Sequence, residues 1–316
     1  MTTTLRPEGP ETPTDAGGRT RRWQICANGR QVGALRTTAI PHGSQLWGEI
    51  SELEVREGRG RGRGTFGALA AEEVLRNWDC TRVDANIPET ARIARGLAAT
   101  LGYTERMRNL AKRLTAAPAL PAGITADRIE PPEFQAWLDR AARGYLRSLV
   151  ESGLSEEQAR ARSQLDHQRQ LPQGADSPGV ALRRLRADGE AEPLGSLWVD
   201  FHRRDLPNGG PLAWVMTVEV CPGPPGPGDA APQWAGGRSE GGGPRGGGGW
   251  VAGGPRPPPP RPPPHGRTLM LLAERECLAA GVRDLGLNVF AGNEVAIRLY
   301  ASLGYRVTNR IYGKPL

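Results

Sequence analysis

Residues 287–305 read LNVFAGNEVAIRLYASLGY, and the fold of the chain turns on them. Leu285 to Phe290 is an apolar run of strand length, and Glu294 to Leu303 carries apolar residues at helical spacing. Gly304 stands where a helix stops, and a last strand starts at Tyr305. The same order occurs earlier. Sliding residues 59–114 by 202 positions onto 261–316, without a gap, leaves about a quarter of the 56 pairs identical. The identities fall at glycines, helix faces and a strand asparagine: Arg59/Arg261, Gly64/Gly266, Leu69/Leu271, Ala71/Ala273, Glu72/Glu274, Asn86/Asn288, and Leu101-Gly102-Tyr103 onto Leu303-Gly304-Tyr305. Chance matches of Ala, Arg and Gly do not choose such positions. The chain is a duplication.

Upstream the offset changes, because Glu54-Val55 pairs with Glu219-Val220 at 165, or 37 fewer than 202. The second copy therefore carries extra residues between a strand and a helix. Residues 221–264 hold 14 Gly and 14 Pro, and such a segment cannot bury enough apolar surface to offset its ordering entropy. Disorder with polyproline-II character is expected there. Residues 255–264 would suit a partner domain that reads such helices.

Working outward, residues 1–20 read as an unstructured tail, with order beginning near Trp23. Asn28-Gly29 joins two alternating runs as a hairpin turn, and a strand follows over Leu46–Val55. A helix runs through Leu69, Val74 and Leu75, and a second opens at Pro88 and stops at Gly102. The first unit thus spans 21–114. A linker over 115–124 precedes a second unit over 125–316. In it Phe134 to Leu149 recur at helical spacing up to Gly153. Ser155 and Gln158 form a capping box, and strands are expected at Gly179–Leu185, Ser196–Phe201 and Trp214–Val220. The helix Arg267–Ala280 follows.

Composition closes several doors. No apolar run approaches the ~20 residues of a bilayer span, and the first twenty residues lack the apolar core of a secretory signal. A cytoplasmic protein without membrane contact is the expectation. The four cysteines form no CxxC pair and only four histidines are present, which argues against disulfides or a metal site. The net charge of +7 comes from 41 basic residues, of which only Lys112 and Lys314 are lysines. Arginine in place of lysine, with abundant Gly, Ala and Pro, is what GC-rich coding produces, so the charge does not argue for nucleic acid.

The loop Arg59-Gly60-Arg61-Gly62-Arg63-Gly64 has a chemical reading. Glycines let successive N–H groups turn toward one point, and the following helix start adds its dipole; together they cradle a pyrophosphate. Here the chain resembles the GNAT superfamily of acetyl-CoA-dependent N-acetyltransferases. Arg59-x-x-Gly62-x-Gly64 matches the family's phosphate loop in the first copy. Asn293, Ala296, Leu299-Tyr300 and Leu303-Gly304-Tyr305 match its later motif in the second. The resemblance implies an α/β fold of the mixed α+β kind, a mostly antiparallel sheet flanked by helices, in two tandem units. It also implies acetyl-CoA as co-substrate, no metal, and a small-molecule or peptide amine as acceptor.

The resemblance further implies roles. Val218 and Val220 offer backbone to the pantetheine arm, Asn293 hydrogen-bonds the cofactor, and Tyr300 protonates the leaving thiolate. Glu219 is a candidate base, with a solvated strand residue as the plainer reading. The acceptor would meet residues 131–170 and the loop near 203–211. The two copies depart from the pattern differently. The first keeps the cradle of Arg59, Gly62 and Gly64 but has Ala91 and Ala98 where the second has Asn293 and Tyr300. The second reads Arg261-Pro262-Pro263-Pro264-His265-Gly266, in which prolines remove N–H donors, leaving Arg261, His265 and Arg267 to compensate by charge. An N-acetyltransferase whose C-terminal unit carries the chemistry is the first reading. A degenerate scaffold displaying its proline-rich segment is the alternative, and an Arg-Gly nucleic-acid tract at Arg59–Arg63 a third.

Overall fold

The hairpin forms where the sequence places it. Asn28 and Gly29 both hold positive φ, 49° and 82°, which matches the twist of the strands they join. Those strands are β3 (Arg19–Ala27) and β4 (Arg30–His42). The structure, a computed structural model, describes residues 3–15, 17–42, 44–57, 60, 62–151, 155–205, 210–221 and 264–316. The glycine- and proline-rich segment, Arg59, Arg261 and the helix stop expected at Gly153 lie outside these residues.

The first half continues with β5 (Gln45–Val55), α1 (Arg63–Asn77), β6 (Cys80–Pro88), α2 (Arg92–Thr100) and β7 (Thr104–Arg113). Two short strands precede it, β1 (Thr3–Pro7) and β2 (Thr12–Pro13). Here the structure departs from the expected tail. β1 lies antiparallel along β3, from Thr3 opposite Ala27 to Pro7 opposite Trp23, and Leu5 packs on the core. A free strand edge on β3 supplies the backbone partners that the tail's polar composition hides. The second helix also starts later than expected: Pro88 ends β6, and α2 begins at Arg92 after a turn closed by Ala91 N–H on the Pro88 carbonyl, 2.9 Å.

The second half holds β8 (Ile124–Arg128), α3 (Pro131–Glu151), α4 (Glu156–Gln170), β9 (Val180–Ala187), β10 (Pro193–Asp205), β11 (Pro211–Val220), α5 (Pro264–Ala279), β12 (Asp284–Phe290), α6 (Glu294–Ser302) and β13 (Arg306–Pro315). Ser155 and Gln158 cap α4 reciprocally, as their spacing requires. The six α-helices among the described residues flank one mixed, mostly antiparallel sheet, ordered β1-β3-β4-β5-β6-β13-β7-β12-β11-β10-β9-β8. Each half has its own core. α1 buries Ala71 and Leu75 with Ile25, Leu35 and Val83, and α5 buries Leu269, Met270 and Ala273 with Leu197, Ala213 and Leu285.

The halves are joined by exchange. β13 lies on β6, and β7 lies on β12. Asn309 faces Pro88 as Met107 faces Phe290, and Pro315 faces Arg82 as Arg113 faces Asp284, so the whole pairing recurs at the offset of 202. β7 and β13 pair with each other about Arg108 and Arg310, which face one another on the pseudo-two-fold axis. The last strand of each sequence repeat is therefore seated in the other half.

Candidate active site

Two parallel pairings open partway. β11 pairs with β12 from Leu212 opposite Asp284 to Val215 opposite Leu287, and no further. β5 pairs with β6 only from Leu46 opposite Cys80 to Glu49 opposite Asp84. A bulge accompanies each opening. The extra residue is Met216 in β11, while in β5 Glu52 takes φ 53°, with its carboxylate paired to Arg22 and Arg36. Past these points the strands splay in both halves.

In the first half the splay holds a cleft of about 380 Å³ lined by Ile50, Leu53, Ala68, Ile87, Leu97 and Ala98. The cradle stands before α1. Gly60 and Gly62 adopt φ 78° and 72°, a region open to glycine at little cost. Gly62 caps the helix without a side-chain acceptor, and the first turn carries no carboxylate. A Cβ on Gly64 would meet Leu97 at 3.6 Å, so the chain passes close under the cleft wall. Backbone N–H groups with no side-chain partner at a helix start fit a pyrophosphate.

The second half differs where Met270 and Tyr300 take the positions of Ala68 and Ala98. Tyr300 is half-buried on α6 against the core, its ring edge-on to Tyr305 with centroids 6.1 Å apart. Its hydroxyl has no hydrogen-bond partner among the described residues, and burial raises its pKa above the ordinary phenol value. Val218 and Val220 pack on the same core, and Val220 Cγ2 would lie 3.8 Å from a Cβ on Gly266. α5 begins at Pro264, ahead of the expected Arg267, because a proline in the first helical turn loses no bond. A proline cannot take the left-handed φ of Gly62 at the matching position, so the entry to α5 cannot copy the entry to α1. His265 is half-buried, Gly266 is buried, and the exposed Arg267 donates to Ser302 Oγ.

Asn293 caps α6, its side-chain oxygen accepting from Ala296 N–H at 3.1 Å. Glu219 turns to the other face of the sheet. It accepts from Ser196 Oγ at 3.2 Å and faces Glu133, Trp137 and Arg140 of α3. Val218, Val220, Gly266 and Tyr300 thus share one side, with Glu219 opposite. A cavity of about 620 Å³ between α3 and α4, lined by Phe134, Leu138, Arg160, Ser163 and His167, lies within the segment expected to meet the acceptor. No cluster of metal-ligating side chains occurs among the described residues. Glu274 and Lys112, absent from the expected site, form a part-buried 2.7 Å ion pair beside Tyr305; the signal in the sequence is two lysines spaced by the repeat.

The sequence matches no protein-family model and no curated protein. Solved structures do resemble it. A GCN5-related N-acetyltransferase from Sphaerobacter thermophilus superposes with a TM-score of 0.53 at 17% identity, covering 93% of this chain and 80% of that one. A GCN5-related glucosamine N-acetyltransferase region in a fungal multi-domain GH3 beta-N-acetylglucosaminidase gives 0.52 at 15% identity, covering 93% of this chain and 33% of that one. At such identities the likeness is one of fold. The chain has the fold of the GCN5-related N-acetyltransferases, and its own repeat builds that fold in tandem.

Proposed function

Starting from that fold, we propose that the C-terminal unit transfers an acetyl group from acetyl-CoA to an amine by direct attack, with Tyr300 as general acid. One observation carries the reading: a half-buried phenol without a hydrogen-bond partner among the described residues stands on α6 where the first unit has an alanine beside its open cleft. Acetyl-CoA supplies an activated acyl group and a thiolate leaving group. Tyr300 holds the proton that the departing sulfur takes, which its raised pKa keeps in place at neutral pH. The backbone of Val218 and Val220, past the end of the β12 pairing, orients the pantetheine arm. The start of α5, with His265, Gly266, Arg267 and Arg261, takes the pyrophosphate. Asn293 uses its oxygen on α6 and offers its amide NH2 to the cofactor. Glu219, on the α3 face, takes one proton from the acceptor's ammonium so that the free amine attacks the thioester. The second nitrogen proton, released as the amide forms, restores the Tyr300 phenol. The acceptor is a small-molecule or peptide amine.

The first unit binds the cofactor through Arg59, Gly62 and Gly64 without turning it over, since Ala98 has no proton to give. Calorimetric titration with acetyl-CoA, with thiol release followed over a panel of amines, tests both statements. Saturable binding and release of CoA with at least one amine class are expected. Absence of binding at millimolar acetyl-CoA would overturn the proposal.

A further inference from the structure

Lys112 and Lys314, the only lysines of the chain, occupy matching positions on the exchanged strands. Lys314 reaches from β13 into the first half. Its Nζ lies 2.8 Å from Glu72, 3.0 Å from the Leu101 carbonyl and 5.0 Å from the Tyr103 ring centroid. Lys112 reaches from β7 into the second half, 2.7 Å from Glu274 and 5.6 Å from the Tyr305 ring centroid. Both glutamates are buried.

The two triads are not equivalent. Arg76 also stands 3.8 Å from Glu72, whereas Lys112 is the only cation paired with Glu274 among the described residues. Tyr103 donates to Glu72 at 2.9 Å, while the buried Tyr305 hydroxyl lies beside Glu274 without closing a hydrogen bond. Beyond Tyr103 the repeat places Ala98; beyond Tyr305 it places Tyr300, in ring contact. We propose that Lys112 is a positioning residue for Tyr300: from the first unit it neutralises Glu274 and anchors the Tyr305 ring against which the phenol rests. The proposal rests on the reading of Tyr300 as the acid. A buried carboxylate deprived of its only ammonium takes up a proton or turns away, and the wall behind Tyr300 changes in either case. An unneutralised negative charge nearby would also disfavour the phenolate that proton donation creates.

The repeat supplies the control. Lys112→Met and Lys314→Met each remove one exchanged-strand ion pair and both should lower Tm, Lys314→Met by less because Arg76 and the Tyr103 hydroxyl stay with Glu72. In protein labelled with ζ-13C tyrosine, the resonance lost in Tyr300→Phe identifies Tyr300 among five tyrosines. Lys112→Met should shift it, Lys314→Met should leave it in place, and Lys112→Arg should return it toward the parent position. In turnover, Lys112→Met should lower kcat on the order of 10- to 100-fold with little change in acetyl-CoA Kd, as small misplacements of a reacting group do. Lys314→Met should stay within about twofold of the parent. Should Lys112→Met fail to fold, Lys112→Met/Glu274→Gln removes the stranded charge and carries the same readout. An unmoved Tyr300 resonance, or an equal shift in Lys314→Met, overturns the proposal. A shift confined to Lys112→Met in a protein that acetylates no amine sustains the positioning relation and refutes only the acid role.

Discussion

Tyr300 carries the chemical reading, and its environment makes that reading testable at one atom. Its hydroxyl would meet sulfur only as negative charge develops, so removing it affects the transition state more than the bound ground state. Tyr300→Phe should lower kcat by about 10²–10⁴-fold, the usual span of general acid catalysis, with acetyl-CoA Kd nearly unchanged. Burial raises the phenol's pKa, so the hydroxyl stays protonated well into alkaline solution. The kcat profile should show no alkaline limb from Tyr300 below about pH 10, the ordinary tyrosine value. A limb near pH 8 that disappears in Tyr300→Phe would contradict this. His42 gives a second residue-scale test. It stacks on Trp47 at 3.9 Å, and burial, with Arg162 and Arg82 nearby, lowers its pKa from 6.5 to about 4. The depressed value means the folded state resists protonation. This contribution is fully present above pH 6.5 and is lost as the pH falls toward 4, because the unfolded chain then binds the proton first. Tm should therefore drop less over that interval in His42→Gln than in the parent.

At the scale of elements, the repeat reuses a device that only glycine permits. A Cβ on Gly33 would stand 2.3 Å from the Glu54 carbonyl oxygen, and one on Gly195 would stand 2.4 Å from that of Glu219. In both halves a strand crosses close against the end of the strand that borders the splay. The obstruction is backbone, so no rotamer change relieves it. Gly33→Ala and Gly195→Ala should each cost about 1–3 kcal/mol, the range of overpacked sites, read as a lowered midpoint in denaturant at unchanged slope. Gly195→Ala should in addition lower turnover, because it displaces the strand that carries Val218 to Val220. Much of this level is legible in the sequence. Asn28-Gly29, the Ser155–Gln158 box and Gly304, at φ 88°, act through their own local chemistry, which needs no tertiary context. Pro88 and the first residues differ from the expectation because their structure comes from elsewhere. Pro88 is held in β6 opposite Asn309, and Thr3–Pro7 find their partners on β3. At the site, the spacing of Asn293 and Tyr300 was visible, but not that Asn293 caps its own helix or that Glu219 faces α3.

At the scale of the molecule, the duplication was legible and the exchange was not, for a physical reason. β7 and β13 are equivalent strands with equivalent faces, so seating each in its own half or in the other buries the same side-chain pattern. Lys112 and Lys314 mark the seating chosen, since each lysine finds its glutamate only across the exchange. It follows that covalent continuity between the halves is dispensable. Residues 115–123 connect β7 to β8 without helix or strand. A protease site built into residues 115–118 and then cut should yield two fragments that co-elute as one particle. Each fragment contributes one strand to the other's sheet, so neither can leave without uncovering a seven-residue ladder and a buried carboxylate. Calorimetry of the cut protein should show one cooperative transition whose Tm rises with protein concentration, as folding has become coupled to association. Fragments that part on gel filtration in native buffer, or two transitions insensitive to concentration, would mean that each half is stable without the strand it borrows.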